Sequence, residues 1–200
     1  MNQSSPVTTA DSEHLVQLFD APRSLADAAA RFLAEGWDRG EQLLVVAKPK
    51  HWDLMAAYLE SRDCRVRDEA ARDRVQVFDA VTTLRRMRKR GAFHADTARG
   101  ILVPIVEAAL RQGRPLRAYG ELVELLAEEG DFAAACTVED MWNELHAIHR
   151  FNLLCGYSAA HFTDPRHVGA LRNICGKHTR VQTHSADALG TWLSTSSHGH

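Results

Sequence analysis

The segment 43–47 (LLVVA) constrains the fold of this chain more than any other feature. It is apolar at every position, and a strand that is apolar on both faces is typical of a parallel sheet covered by helices. Further strand-like segments occur at 14–19, 74–79, 115–120 and 151–158, and helical patterns separate them. This alternation predicts an α/β fold: a single doubly wound, mostly parallel sheet flanked by helices.

Local signals predict where several helices begin and end. Pro49 suits the first turn of a helix, and Ser24 and Asp96 are placed to cap two others. Pro104 is expected to kink or split the helix that follows Asp96, because proline cannot complete the helical hydrogen bonding. Residues 81–90 are expected to form one basic helix.

Composition excludes several classes of protein. The chain has 200 residues, a net charge of -2 and four scattered cysteines without a CxxC pair. No apolar run approaches the ~20 residues that a membrane-spanning helix needs, and the start of the chain lacks a secretory signal pattern. We therefore expect a cytoplasmic protein with reduced thiols, with a domain at 13–182 between flexible segments at 1–12 and 183–200.

The basic run at 85–90 (RRMRKR) raises the question of a charged partner. Without interleaved aromatic residues that stack on bases, and with a slightly negative chain, we do not expect direct nucleic-acid binding. The run is expected to be a solvated helix face or a contact for an acidic protein surface.

Ligands of parallel sheets bind beyond the carboxyl ends of the strands. The turn at 48–51 has no glycine, and the sequence contains neither GxxxxGK[ST] nor GxGxxG, so no nucleotide is expected. A solvated surface turn is the alternative for its two lysines, and a helix-dipole contact is the alternative for Glu121. The side chains that we predict at a small-molecule site are Lys48, His51, Asp79, Tyr119, Glu121, Cys155 and Tyr157.

Cysteine and histidine residues near the end of the domain leave other chemistry open. Cys155, Cys175 and His178 are candidate metal ligands, because zinc accepts thiolate and imidazole donors. Cys155 with His161 would also suit a nucleophilic enzyme, although a cysteine in an apolar strand is commonly a small core residue.

Five segments follow one another between residues 13 and 182: HLVQLFD, GWDRGEQLLVVAKPKHWDLM, RPLRAYGELVELLAEEGDFAAA, MWNELHAIHRFNLLCGYSAAHF and ICGKHTRV. In this order they resemble a known family, the MEDS sensory domain, named for methanogens, methylotrophs and a dichloromethane-responsive repressor. The resemblance implies a prokaryotic signal-transduction domain, proposed to sense small molecules such as simple hydrocarbon derivatives, with a core similar to RecA- and KaiC-type ATPases that has lost the phosphate loop. Many members of the family are joined to a helix-turn-helix or a histidine kinase, and this chain contains neither.

The sequence thus predicts a stand-alone, non-enzymatic sensor. It would bind a small molecule and regulate a separate protein such as a kinase or a transcription regulator, and a homodimer stays open. Three alternatives remain at this point: a metal- or redox-responsive regulator, a cysteine-dependent enzyme, and a scaffold without a ligand.

Overall fold

A computed structural model describes residues 12–68 and 71–183. The segments expected to be flexible, 1–12 and 183–200, lie outside the described residues except for positions 12 and 183. Among the described helices, none combines the length and the apolar character required to cross a membrane.

Six parallel strands form one sheet in the order β3-β2-β6-β7-β1-β8. This arrangement confirms the predicted mostly parallel sheet. The strands are β1 (His14–Phe19), β2 (Gln42–Ala47), β3 (Val75–Asp79), β6 (Leu116–Gly120), β7 (Asn152–Ser158) and β8 (Arg180–Thr183), and a separate hairpin consists of β4 (Arg88–Lys89) and β5 (Ala92–Phe93).

Helices cover both faces of this sheet, which confirms the doubly wound architecture. On one face, α1 and α2 pack over Leu43 and Val45; on the other, Leu44 and Val46 belong to a core that also contains residues of α3 to α7. The alternation along β2 follows from the two-residue period of a strand. The helices are α1 (Pro22–Asp38), α2 (Pro49–Glu60), α3 (Ala80–Arg86), α4 (Ala95–Leu110), α5 (Leu122–Glu128), α6 (Phe132–His149) and α7 (Val168–Gly176).

Helix starts agree with the sequence only in part. Pro49 begins α2 as predicted. The prediction for Ser24 was wrong, because α1 already begins at Pro22 and Ala21 is its N-cap. Asp96 lies in the first turn of α4, where its negative charge interacts favourably with the helix dipole. The N-cap residue, however, is His94, whose Nδ1 accepts a hydrogen bond from the backbone N–H of Thr97.

Of the two outcomes predicted for Pro104, the split does not occur, because α4 runs without a break through this residue; the kink stays a prediction. Pro104 and Gly100, whose carbonyl loses its helical partner, are both exposed, so water can bond that carbonyl. The predicted basic helix 81–90 is also too long, since α3 ends at Arg86. Arg90 and Gly91, at φ values of 52° and 84°, then form the left-handed turn that joins β4 to β5.

Candidate functional site

Four of the predicted ligand residues meet at the carboxyl edge of the sheet, around the carboxylate of Glu121. We call Lys48, His51, Tyr119 and Glu121 the edge cluster. The Glu121 side chain is fully buried. Its Oε1 accepts hydrogen bonds from the Tyr119 hydroxyl at 2.7 Å and from His51 Nδ1 at 2.9 Å, and its Oε2 accepts one from the Lys48 backbone N–H at 2.7 Å.

Strand pairing and two helix starts create this geometry. Val46 of β2 pairs with Gly120 of β6, and the Glu121 N–H donates to the Val46 carbonyl at 2.9 Å. Glu121 is also the N-cap residue of α5, and Lys48 is the N-cap residue of α2. The N-terminus of a helix attracts anions, and at α2 the protein's own carboxylate fills this place.

The environment of Tyr119 keeps its hydroxyl protonated. Burial, followed by the negative charge of Glu121, raises the pKa of Tyr119 well above its ordinary value of 10.0. The phenol is therefore a permanent hydrogen-bond donor to Glu121 in the folded protein at neutral pH.

A second buried carboxylate, Glu124, extends this edge toward β7. Its Oε2 accepts a hydrogen bond from the Ser158 backbone N–H at 2.8 Å, and its Oε1 contacts His161 Nε2 at 3.0 Å. The sequence analysis missed Glu124 in this role. Its spacing of three residues from Glu121 in a helix start was a usable signal, because such residues share one helix face.

Asp79 also lies at the carboxyl edge of the sheet, where its side chain caps a helix. It follows the register of β3 to the same edge, beside Ala47. Its Oδ1, however, accepts hydrogen bonds from the backbone N–H groups of Val81 at 2.8 Å and Thr82 at 3.2 Å, which caps α3. The structure thus accounts for Asp79 as a helix cap.

Cys155 and Tyr157 lie in the interior, beneath α6, and not with the edge cluster. Cys155 Sγ is 3.5 Å from Glu139 Oε2, and the Tyr157 hydroxyl donates to Glu139 Oε1 at 2.9 Å. Burial and then the Glu139 charge raise the pKa of the Cys155 thiol well above 9.0. His161, its expected catalytic partner, pairs with Glu124 instead, so Cys155 lacks the ionised thiol and the exposure of a nucleophile.

Two histidines complete the surroundings of Glu139. We call His14, Glu139, Cys155 and His178 the buried cluster, in which one potential ligand atom of each residue lies within 4.8 Å of the others. His14 Nε2 is 3.3 Å from Glu139 Oε2 and 3.5 Å from Cys155 Sγ. His178 Nε2 is 3.4 Å from Glu139 Oε1. Of the candidate metal ligands, Cys155 and His178 therefore come together, and half-buried Cys175 lies outside the group.

Burial disfavours the charged form of Glu139, but its histidine neighbours prevail. The His178 and His14 imidazoles beside the carboxylate hold the pKa of Glu139 well below its ordinary 4.5. The sequence analysis missed Glu139 and His14. Glu139 could have been found, since it follows Val138 and precedes Trp142 by three positions on the apolar face of α6.

Comparisons with known proteins place this architecture in a family. The family model for MEDS, the methanogen/methylotroph, DcmR sensory domain, matches residues 13–179. No curated protein and no solved structure matches the chain significantly, so the predicted likeness of its core to RecA- and KaiC-type ATPases stays a prediction. Because the match spans nearly the whole described domain, the chain belongs to the MEDS sensory domain family.

Proposed function

We propose that this chain acts as a prokaryotic sensor that binds a small molecule at the carboxyl edge of its sheet and thereby regulates a partner protein. Membership in a sensory family supports the general role. The observation that carries the proposal is the fully buried Glu121 carboxylate, which three donors from β6, α2 and the turn between β2 and α2 hold in place.

Two partly exposed histidines would give a small molecule access to this edge. The side chains of His51 and His161 remain 14% and 18% exposed, while the carboxylates behind them are buried. Each imidazole therefore separates solvent from a buried carboxylate. A ligand that hydrogen-bonds an imidazole or replaces it at its carboxylate would change the interior without having to enter an open cavity.

Helix α5 is the element that would respond. Glu121 is its N-cap residue and Glu124 lies in its first turn, so both carboxylates connect the start of α5 to other elements. This helix packs against α3, α6 and β7. A ligand with different affinity for two positions of α5 would shift the balance between them, and a partner protein would recognise the favoured surface.

The proposal does not involve ATP hydrolysis. The Glu121 carboxylate bonds the Lys48 N–H at the start of α2, where a phosphate would otherwise accept it. A second negative charge at this position would meet electrostatic repulsion. This supports a ligand other than a nucleotide, and simple hydrocarbon derivatives are the class to test first.

Histidine side-chain NMR on the full chain tests the proposal. Dichloromethane, methanol, methylamine and acetate are titrated into protein labelled with nitrogen-15 at histidine. We expect at least one probe to shift the His51 and His161 imidazole signals with a common saturation curve, and His149, at the opposite end of the sheet, to stay unchanged. The Glu121→Gln variant should abolish this response, whereas Glu60→Gln, at an exposed position at the end of α2, should retain it.

Amide exchange in the same samples tests the transmission step. A binding probe should change the exchange rates of α5 in the unmodified protein and not in Glu121→Gln. The proposal is wrong if none of the probes gives a saturable shift, or if the shifts persist in Glu121→Gln.

A further inference from the structure

The imidazole of His178 presents an unpartnered nitrogen inside the protein. Its side chain is fully buried, yet Nε2 has no hydrogen-bond partner. A buried polar atom without a partner costs free energy. This nitrogen lies 3.4 Å from Glu139 Oε1 and belongs to the buried cluster. The arrangement of the four residues of this cluster can explain why the nitrogen has no hydrogen-bond partner.

The separations within the buried cluster match the edges of a tetrahedral metal site. Metal–ligand bonds of about 2.0 to 2.3 Å imply ligand–ligand separations of about 3.3 to 3.7 Å in tetrahedral geometry. His14 Nε2 is 3.3 Å from Glu139 Oε2 and 3.5 Å from Cys155 Sγ, and that sulfur is 3.5 Å from the same carboxylate oxygen. His178 Nε2 lies 3.4 Å from the other oxygen of this carboxylate, Oε1, and the four residues bring one ligand atom each to within 4.8 Å of one another.

Both histidines are oriented by bonds on their outer nitrogens. His14 Nδ1 bonds Asn143 Oδ1 at 2.8 Å, and the Asn143 amide nitrogen is itself fixed by the Lys177 carbonyl at 3.0 Å. His178 Nδ1 donates to the Ile174 carbonyl at 2.7 Å. A proton on each Nδ1 leaves Nε2 with a lone pair toward the cluster, and metal-binding histidines are held in this way.

From these contacts we propose that His14, Glu139, Cys155 and His178 bind one divalent transition-metal ion of the zinc class. The donor set of two imidazoles, one thiolate and one carboxylate is too soft for magnesium or calcium, which prefer oxygen ligands alone. A bound dication is also the species that ionises a buried thiol. All four ligands of the ion come from the protein and lie in the interior, which is typical of a structural site.

The ion joins parts of the chain that are distant in sequence. His14 begins β1, Glu139 lies in α6 and Cys155 in β7, while His178 lies between α7 and β8. Metal binding therefore fixes the edge strand β8 and the helix before it to the centre of the sheet. This site shares no residue with the edge cluster, so it stands independently of the proposed small-molecule site.

Cobalt(II) binding to the full chain tests the proposal. The protein is treated with a chelator, titrated with cobalt and desalted. We expect one tightly held equivalent with visible bands of tetrahedral cobalt and a near-ultraviolet thiolate-to-cobalt band, and we expect zinc to displace it. Cys155→Ser should lose the thiolate band, and Cys175→Ser, which changes a cysteine outside the cluster, should retain it.

Two further measurements keep the test decisive if Cys155→Ser fails to fold. Asn143→Leu leaves the four ligands intact, and we expect it to weaken cobalt binding about 10- to 100-fold with the thiolate band preserved. Zinc at a free concentration about a hundred times its Kd should raise the Tm of the unmodified protein by about 5 to 10 °C. The proposal is overturned if no stoichiometric cobalt remains after desalting, if Cys155→Ser folds and keeps the thiolate band, or if Asn143→Leu binds as tightly as the unmodified protein.

Discussion

Replacing the buried carboxylate Glu121 by its neutral amide is the sharpest test of how the edge cluster is held together. Glu121→Gln keeps an acceptor oxygen for Tyr119 and His51. In the unmodified protein the Lys48 N–H donates to Glu121 Oε2 at 2.7 Å, and in the variant it faces the NH2 group, which cannot accept a hydrogen bond. One hydrogen bond to a charged group is lost, at about 1.5 to 3 kcal/mol, and two others weaken by about 0.5 to 1 kcal/mol each. Removing a buried charge recovers some desolvation free energy, so we expect a net loss of about 3 kcal/mol.

Urea unfolding followed by tryptophan fluorescence measures this loss as a change in the free energy of unfolding. A double-mutant cycle with Tyr119→Phe should give a coupling energy of about 1 to 2 kcal/mol, because the phenol donates directly to Glu121 Oε1. The matched control is Glu128→Gln on the same helix, where the carboxylate is 56% exposed and the expected loss stays below about 1 kcal/mol. The reasoning is refuted if Glu121→Gln costs no more than this control, or if the two substitutions at the cluster are additive.

Three other perturbations follow from single contacts. In Gly156→Ala, the added Cβ would lie 2.5 Å from Leu25 Cδ1, and we expect urea unfolding to show a loss of about 1 to 3 kcal/mol. Arg150 ends α6 at a φ of 49° and a ψ of 73°, so Arg150→Gly should raise the free energy of unfolding by up to about 1 kcal/mol, and a fall would contradict the strain argument. The pKa of Tyr119 is higher in the folded than in the unfolded chain, so its contribution to the free energy of unfolding is complete below pH 10 and is lost above it. Between pH 9 and 11 the free energy of unfolding should therefore fall less steeply in Tyr119→Phe than in the unmodified protein.

The sheet could be predicted from the sequence because most of its strands carry their own signal. Residues 43–47 are buried on both faces of the sheet. They are therefore apolar at every position, and this pattern can be recognised from the sequence without knowing which strands pair with it. The edge strand β8 gave no such signal. Its residues are exposed or only half-buried, so its sequence, RVQT, reads as polar, and pairing with β1 rather than local pattern makes it a strand.

The candidate site could be predicted only as far as strand ends reveal it. Tyr119 and Glu121 follow β6 directly, so their place at the carboxyl edge follows from strand order in the chain. Cys155 and Tyr157 share one face of β7 by the two-residue period, but the sequence does not tell which helix closes over that face. That helix is α6, and its Glu139 accepts hydrogen bonds from both side chains in the interior, away from the edge cluster.

Buried carboxylates next to imidazoles recur on both sides of this domain's interior. Glu121 pairs with His51, Glu124 with His161, and Glu139 with His14 and His178. Apolar side chains of similar volume would commonly give the same or greater stability than such buried pairs. The need for a stable core therefore does not account for these groups, and departures from an apolar core are expected where a protein binds or responds to something. The slightly exposed histidines belong to the carboxyl edge and the buried ones to the centre, which fits the proposed small-ligand site at the edge and the proposed ion site in the interior.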